Sequence, residues 1–198
     1  MEMDSVFAGF GGQGIMLVGQ MVSYAALAEG KQTSWLPSYG PEMRGGTANC
    51  TVIVSDTMIG SPVISSPKTA VVMNPPSYAK FGALLRPEGI LITNTSLVKV
   101  DSEDAEIKKV KDRTDIQHLE LHANEIANEI GNRLGANMVI LGAFVAARPG
   151  VIKPESIETL ITWYFKEKKG KSDKVVDLNH KCFHAGIEAA EKIIANHV

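Results

Sequence analysis

Residues 9 to 14 read Gly9-Phe10-Gly11-Gly12-Gln13-Gly14, a G-x-G-x-x-G spacing. A short apolar run, Ser5-Val6-Phe7-Ala8, leads in, and Ile15-Met16-Leu17-Val18 leads out. Strand, glycine turn and helix start are the order of a phosphate-binding βα unit. Glycines at this spacing let the backbone turn tightly and remove the β-carbons that would hold a ligand away. The free N–H groups and the positive dipole end of the next helix then face an anion.

Three readings fit this motif. Binding of NAD or FAD requires a carboxylate about 20 residues on, at the end of the second strand, to hold a ribose. The second strand is expected over residues 32–36 and is followed by Pro37 and Ser38, with no carboxylate at its end. Glu29 falls in the last turn of the first helix instead. A phosphate or diphosphate of some other ligand makes no such demand. A glycine turn that serves only close helix–strand packing needs no ligand.

The second stretch with chemical content is Pro37-Ser38-Tyr39-Gly40-Pro41-Glu42-Met43-Arg44-Gly45-Gly46. Its prolines and glycines predict a loop of defined shape. Arg44 is the natural second grip on a phosphate, because a guanidinium is a permanently charged fork. Its other reading is an interface contact or a loop-bracing ion pair, for instance with Glu42. Tyr39 belongs to the same loop. Asn49 and Thr51 fall on the less buried face of the adjoining strand and can line the same crevice, which lies outside the carboxyl ends of the strands.

The elements that must position these residues follow from periodicity. A helix is expected over 14–29, stopped near Gly30, with Val18, Met21, Val22, Ala25 and Ala28 on one buried face and Leu17 and Tyr24 on another. Residues 47–55 alternate as a strand, with Ala48, Cys50, Val52 and Val54 inward. A strand over 69–73 leads to Asn74-Pro75-Pro76, the N-cap and first turn of a helix that ends at Pro87. Another strand spans 89–94. Residues 99–115 read as a solvated, charged excursion. Residues 116–122 alternate, which puts His118, Glu120 and His122 on one face, either as a polar surface or as a fragment of a metal site. Helices follow over 123–130 with Ile126 and Ile130 inward and Gly131 at the end, over 138–148 capped by Asn137, from Pro154 to about 165, and over about 177–196 capped by Asp177. Cys182, Phe183, Ile187, Ala190 and Ile194 face inward on the last of these. The helix over 138–148 is apolar nearly all round, which suits a core or a subunit interface. Residues 166–174 read as a basic, solvated linker.

This β-α-β rhythm predicts an α/β fold: three α/β/α layers, a mostly parallel sheet and a Rossmann-like first βα unit. A single domain over 1–198 is expected, with the helices of about 151–198 packed on it. Hydrophobic residues make up 44% and charged residues 21% of the chain, so it is an ordinary globular protein and not a disordered one. The net charge of −2 and an aromatic content of 6% point away from nucleic acid and from membrane surfaces. Cys50 and Cys182 form no C-x-x-C pair, so neither a zinc site nor an iron–sulfur cluster is expected on this chain. No nucleophile elbow, carboxylate pair or Ser/His/Asp order can be traced, so no catalytic residue is assigned. The G-D-G…N pattern that holds magnesium and thiamine diphosphate is absent. The acidic start Met1-Glu2-Met3-Asp4 does not resemble a signal peptide, and the apolar run over 138–147 is too short to span a bilayer, so a cytoplasmic location is expected.

The glycine turn and the loop from Tyr39 to Gly46, taken together, resemble the gamma subunit of 2-oxoacid:ferredoxin (acceptor) oxidoreductases. Thr47-Ala48-Asn49-Cys50, Ile59-Gly60-Ser61-Pro62, Met73-Asn74-Pro75-Pro76-Ser77 and Gly135-Ala136-Asn137-Met138 fit the same family in order. The wording over 37–50 is closest to the 2-oxoglutarate branch, with pyruvate and branched-chain members as near relatives. The resemblance implies an enzyme that decarboxylates a 2-oxoacid on thiamine diphosphate, passes electrons through iron–sulfur clusters to ferredoxin or another acceptor, and releases an acyl-coenzyme A. It implies that alpha, beta and, where present, delta subunits carry the thiamine diphosphate, magnesium and clusters. This chain would be a non-catalytic partner contributing to assembly and to a shared coenzyme A site. Gly11, Gly12, Gln13 and Gly14 would then contact the coenzyme A diphosphate. In single-chain relatives a lysine follows a longer glycine loop. Here Leu17 and Gln20 occupy that region, so Arg44 is the residue to supply the charge.

Overall fold

Successive residues of the first strand, β1 (Glu2–Phe10), feed two different cores. Phe7 packs into one apolar cluster, while Val6 and Ala8 pack into another on the opposite face. A strand whose neighbours alternate between two buried surfaces must be the centre of a three-layer structure. The computed structural model describes residues 1–39 and 47–196 and has this architecture. The other strands are β2 (Gln32–Tyr39), β3 (Thr47–Ser55), β4 (Thr69–Val72), β5 (Ile90–Asn94) and β6 (Gln117–Leu121), and the sheet order is β2-β3-β1-β4-β5-β6. Strands β1, β4, β5 and β6 run parallel, and β3 runs antiparallel to both β1 and β2.

Helices α1 (Ile15–Ala28), α4 (Ala123–Ile130), α5 (Ala136–Ala147), α6 (Pro154–Thr162) and α7 (Asp173–Ala195) share the larger core on the Phe7 face. Helices α2 (Pro75–Leu84) and α3 (Ala105–Lys111) cover the Val6 face. Phe7 and Phe144 meet at 5.1 Å between ring centroids. Helix α5 is apolar on all sides because it lies inside this chain's own core, with Met138 to Phe144 wholly covered. The C-terminal helices build that same core through Ile157, Ile161, Cys182, Phe183 and Ala190.

Several boundaries differ from the sequence-based expectation. Strand β2 continues through Pro37 to Tyr39, because it is an edge strand and a missing N–H costs nothing on its outer side. Residues 99–115 are not core-free: Asp104 accepts hydrogen bonds from the N–H groups of Glu106 and Ile107 to cap α3, which buries Ile107 and Val110. Asn137 lies inside the first turn of α5 and caps nothing; Gly135 holds that place. Helix α7 begins at Asp173, one turn before Asp177. A π-helical segment, Trp163–Lys168, continues α6 into the stretch read as a linker. Tyr24, Ala28 and Ile194 are exposed, not inward. The loop expected from Gly40 to Gly46 lies outside the described residues.

Helix α1 ends as expected. Gly30 takes a positive φ of 77°, its N–H donates to the Leu27 carbonyl, and the Lys31 N–H reaches the Ala26 carbonyl. The side chains beside this turn do something periodicity does not show. The Glu29 carboxylate accepts the Lys153 N–H at 2.6 Å and the Ser156 hydroxyl at 2.8 Å, so it caps α6 from a distant element. The Lys31 ammonium lies 3.3 Å from Glu29 and donates to the carbonyls of Gly150 and Val151. Burial alone would push the Glu29 carboxyl up. The Lys153, Ser156 and Lys31 donors outweigh it and hold the carboxyl below the ordinary range. A depressed folded-state pKa stabilises at pH values above the unfolded carboxyl's pKa, and that stabilisation fades as pH falls through the folded value. Glu29→Gln is therefore expected to cost roughly 1–2 kcal/mol at pH 7. In urea melts the gap to wild type should close as pH drops below about 4.

Candidate functional site

Helix α1 leaves β1 toward one face of the sheet, and α2 leaves the adjacent β4 toward the other. The carboxyl ends of β1 and β4 therefore flank a switch point, where open α/β sheets place ligands. The glycine turn sits there. Gly11 and Gly12 are exposed, and Gly12 and Gly14 have φ of 96° and 75°, which only glycine adopts without strain. Among the described residues a β-carbon built on Gly12 meets nothing within 4 Å, whereas one on Gly14 would lie 2.3 Å from Asn137 Nδ2. Gly12 thus faces open space, and Gly14 is squeezed against α5. The first turn of α1 has no side-chain cap and no acidic residue. Its leading N–H groups have no partner within the helix, and no carboxylate of that turn competes with an incoming anion.

Gln13 has a structural task. Its Oε1 accepts the Phe10 N–H at 2.6 Å, and its Nε2 donates to the Met73 carbonyl at 3.0 Å. Its own N–H donates to the Phe10 carbonyl. The side chain therefore clips the turn to the end of β4 and sets the width of the crevice. A glutamine is suited to this, since its amide carries a donor and an acceptor. That identity was the available sequence signal. Across the crevice Asn74 caps α2 by accepting the Ser77 N–H at 2.9 Å. Its Nδ2 and the Ser77 hydroxyl are buried with no hydrogen-bond partner among the described residues. Sequence reading identified Asn74 as a cap but did not place it opposite the glycine turn.

The register brings the second stretch to the same end of the sheet. Thr47 pairs with Phe10, Ala48 with Gly9, and Tyr39 with Ala48. The residues on either side of 40–46 are thus neighbours of the glycine turn, although Arg44 itself lies outside the described residues. Asn49 pairs with Ala8 and is half-buried. Opposite residues of an antiparallel pair share a face, so Asn49 stands with Ala8 on the α2 face, one step back from the rim.

The topology also bears on the dinucleotide reading. A dinucleotide-binding unit needs its second strand parallel to and beside the first, so that the ribose carboxylate reaches the ligand. Here β3 lies between β1 and β2, and β2 ends without a carboxylate. The arrangement therefore differs from that of a dinucleotide-binding unit.

Among the described residues no other chemical constellation forms around the site. Burial pushes the Cys50 thiol up to about 12 against the opposing Trp35 indole, and burial likewise raises Cys182. Two separate, protonated, buried thiols do not fit an iron–sulfur cluster. His118 Nε2 faces the Arg113 carbonyl at 3.0 Å, and His122 Nδ1 faces Thr95 Oγ1 at 3.2 Å. Among the described residues no group of three or more His, Cys, Asp or Glu side chains is placed to hold a metal. Nor is any described helix long and apolar enough to cross a membrane.

Residues 4–189 match the family described as pyruvate ferredoxin/flavodoxin oxidoreductase. The chain belongs to that family. Among family members, the ketoisovalerate oxidoreductase subunit VorA of Methanothermobacter marburgensis is 35% identical over 191 residues, covering 96% of this chain and 37% of that protein. This chain thus spans little more than a third of that relative. The 2-oxoglutarate synthase subunit KorC of Methanocaldococcus jannaschii is 30% identical over 195 residues, covering 98% of this chain and 96% of KorC. The gamma subunit of a keto/oxoacid ferredoxin oxidoreductase from Geobacter sulfurreducens superposes with a TM-score of 0.74 at 29% identity, covering 95% of this chain and 98% of that one. The α/β fold is therefore that of a gamma subunit of this enzyme family.

Proposed function

We propose that this chain is the gamma subunit of a 2-oxoacid:ferredoxin or other acceptor oxidoreductase, in which it cradles the diphosphate of coenzyme A. The observation that carries the reading is the open backbone at Gly12, above an uncapped α1 start and at a switch point of the sheet. Gly11, Gly12 and Gly14 bring main-chain N–H groups to the ligand, Gln13 holds their shape, Arg44 supplies the charge, and Tyr39 and Asn49 are further contacts. The reaction converts a 2-oxoacid and coenzyme A to an acyl-coenzyme A and carbon dioxide, with two electrons passed to the acceptor. Thiamine diphosphate with magnesium, and the clusters that carry the electrons, belong in this reading to alpha, beta and, where present, delta subunits. The work takes place in the cytoplasm.

For the substrate we favour 2-oxoglutarate, giving succinyl-coenzyme A, on the wording of residues 37–50 and the KorC relatives. The VorA likeness supports a branched-chain 2-oxoacid as the second reading. Purification of the tagged chain with its partners, followed by coenzyme A-dependent dye reduction with each 2-oxoacid, separates the two. In that complex Arg44→Ala is expected to raise the KM for coenzyme A tenfold to a hundredfold, about 1.5–3 kcal/mol, with thiamine diphosphate binding unchanged. An unchanged KM removes Arg44 from the site. NAD(P) or flavin binding by the isolated chain would overturn the whole reading in favour of a self-standing nucleotide-binding oxidoreductase.

A further inference from the structure

Helix α1 carries Leu17, Gln20, Tyr24 and Leu27 at i, i+3, i+7 and i+10, the spacing of a packing seam. Leu17, Gln20 and Tyr24 face Leu160, Trp163 and Tyr164, from α6 and the π-helical segment. This seam is not closed within the chain. Tyr24 is 44% exposed, Leu27 55% and Trp163 37%. A groove of about 610 Å³, lined by Tyr24, Thr159, Leu160, Thr162, Trp163 and Glu167, is open to one side. An aromatic groove left uncovered on a soluble domain marks an interaction face.

The π-helical segment gives this groove its rim. In a π turn, residues five apart hydrogen-bond and lie over one another. Lys168 accordingly sits over Trp163 at 5.3 Å and over Tyr164 at 5.5 Å, and Lys169 over Tyr164 at 5.6 Å. Among the described residues neither lysine has a carboxylate within ion-pair distance, while Lys166 is paired with Asp173 at 2.8 Å. Over residues 166–174 five lysines stand against Glu167 and Asp173, on a chain whose net charge is −2. The Trp163 ring, which lines the groove beside Glu167, holds the Lys168 ammonium, and the next ring, Tyr164, holds that of Lys169.

We propose that this face docks a partner subunit, and that the partner surface is acidic, with one apolar side chain seated between Tyr24 and Trp163. Charge complementarity selects this occupant. Lys168 and Lys169, held over the rings, outnumber Glu167 at this edge and would pair with carboxylates, and the apolar knob would complete the seam. A second copy of this chain is the poorer occupant, because a two-fold contact would bring the same lysine rim against itself. The proposal rests on the chain being a subunit, as argued above, but goes beyond that reading in naming the face and the chemistry of what covers it.

The test uses the assembled complex with its partner subunits. A photo-crosslinking amino acid at Trp163 is expected to label a partner peptide rich in Asp and Glu, and the same probe at Lys109 on α3 should not. The double variant Lys168→Glu/Lys169→Glu is expected to weaken assembly by roughly tenfold or more at low salt, with the loss shrinking as salt rises, while the melting temperature of the isolated chain stays unchanged. Trp163→Ala should weaken assembly at every salt concentration. A complex that forms with unaltered affinity in both variants, or a crosslink to a second copy or to a peptide without carboxylates, overturns the docking face and leaves the subunit reading intact. A wild-type chain that assembles with no partner overturns both.

Discussion

Gly186→Ala and Gly142→Ala are each expected to destabilise the protein by about 2–4 kcal/mol, although both replace a poor helix former with the best one. Helix propensity alone favours the alanine by about 1 kcal/mol. Packing reverses the sign. A β-carbon on Gly186 would lie 1.9 Å from the Val139 carbonyl oxygen, and one on Gly142 would lie 2.0 Å from the Phe183 carbonyl oxygen. Close carbon–oxygen contacts between helices sit at about 3.3–3.6 Å. Neither obstacle is a side chain that can turn aside, so α5 and α7 must move apart along their whole contact. That motion loosens Phe144 and Phe183, which are wholly buried in the same core, and overpacking of this kind typically costs 1–3 kcal/mol before such losses. The two sites are reciprocal: Val139 precedes Gly142 by one turn, and Phe183 precedes Gly186 by one turn. Once the helices have separated for one alanine, the second fits at little extra cost. Urea denaturation of the singles and the double should therefore show a double-variant loss well below the sum. Additive losses, or a stabilised single, would mean that the helices do not touch at these backbones.

Gly12→Ala is expected to divide stability from binding. The backbone there has a φ of 96°, so a β-carbon brings strain of about 1–2 kcal/mol. It brings no clash with any described residue, since none lies within 4 Å of it. The assembled enzyme should fold with a modestly lower Tm, yet its KM for coenzyme A should rise roughly tenfold to a hundredfold, about 1.4–2.7 kcal/mol. Gly12→Asn sharpens the comparison, because asparagine tolerates positive φ better than alanine but places more atoms in the crevice. If the glycine serves only the turn, the asparagine variant should be the milder of the two and both should keep the KM of the wild type. If the backbone faces a ligand, asparagine should be the more stable variant and the poorer binder. Gly14 cannot serve in this experiment, since its β-carbon would strike Asn137 and confuse packing with binding.

These two predictions show where sequence and structure each contribute. Local rules carried far along this chain. The glycine turn, the Asn74 cap and the Gly30 and Gly131 stops were legible because each depends on a residue type and its immediate neighbours. So was the β-α-β rhythm, and with it the three-layer α/β fold. Charge-rich stretches misled, because a few apolar residues such as Ile107 and Val110 suffice to dock a short helix when a core face is waiting for them.

The sequence by itself determined the glycine-turn βα unit, the mostly parallel sheet and the absence of a cysteine pattern for a cluster, since these depend on spacing alone. Tertiary structure decided the rest. It placed β3 between β1 and β2, which removes the dinucleotide geometry although the motif formally allows it. It turned Gln13 inward to the Met73 carbonyl, and Glu29 across to the start of α6. It brought Gly142 and Gly186 into backbone contact across 44 residues of sequence. In each case the deciding partner is distant along the chain, and periodicity reports which side of an element is buried but not what buries it.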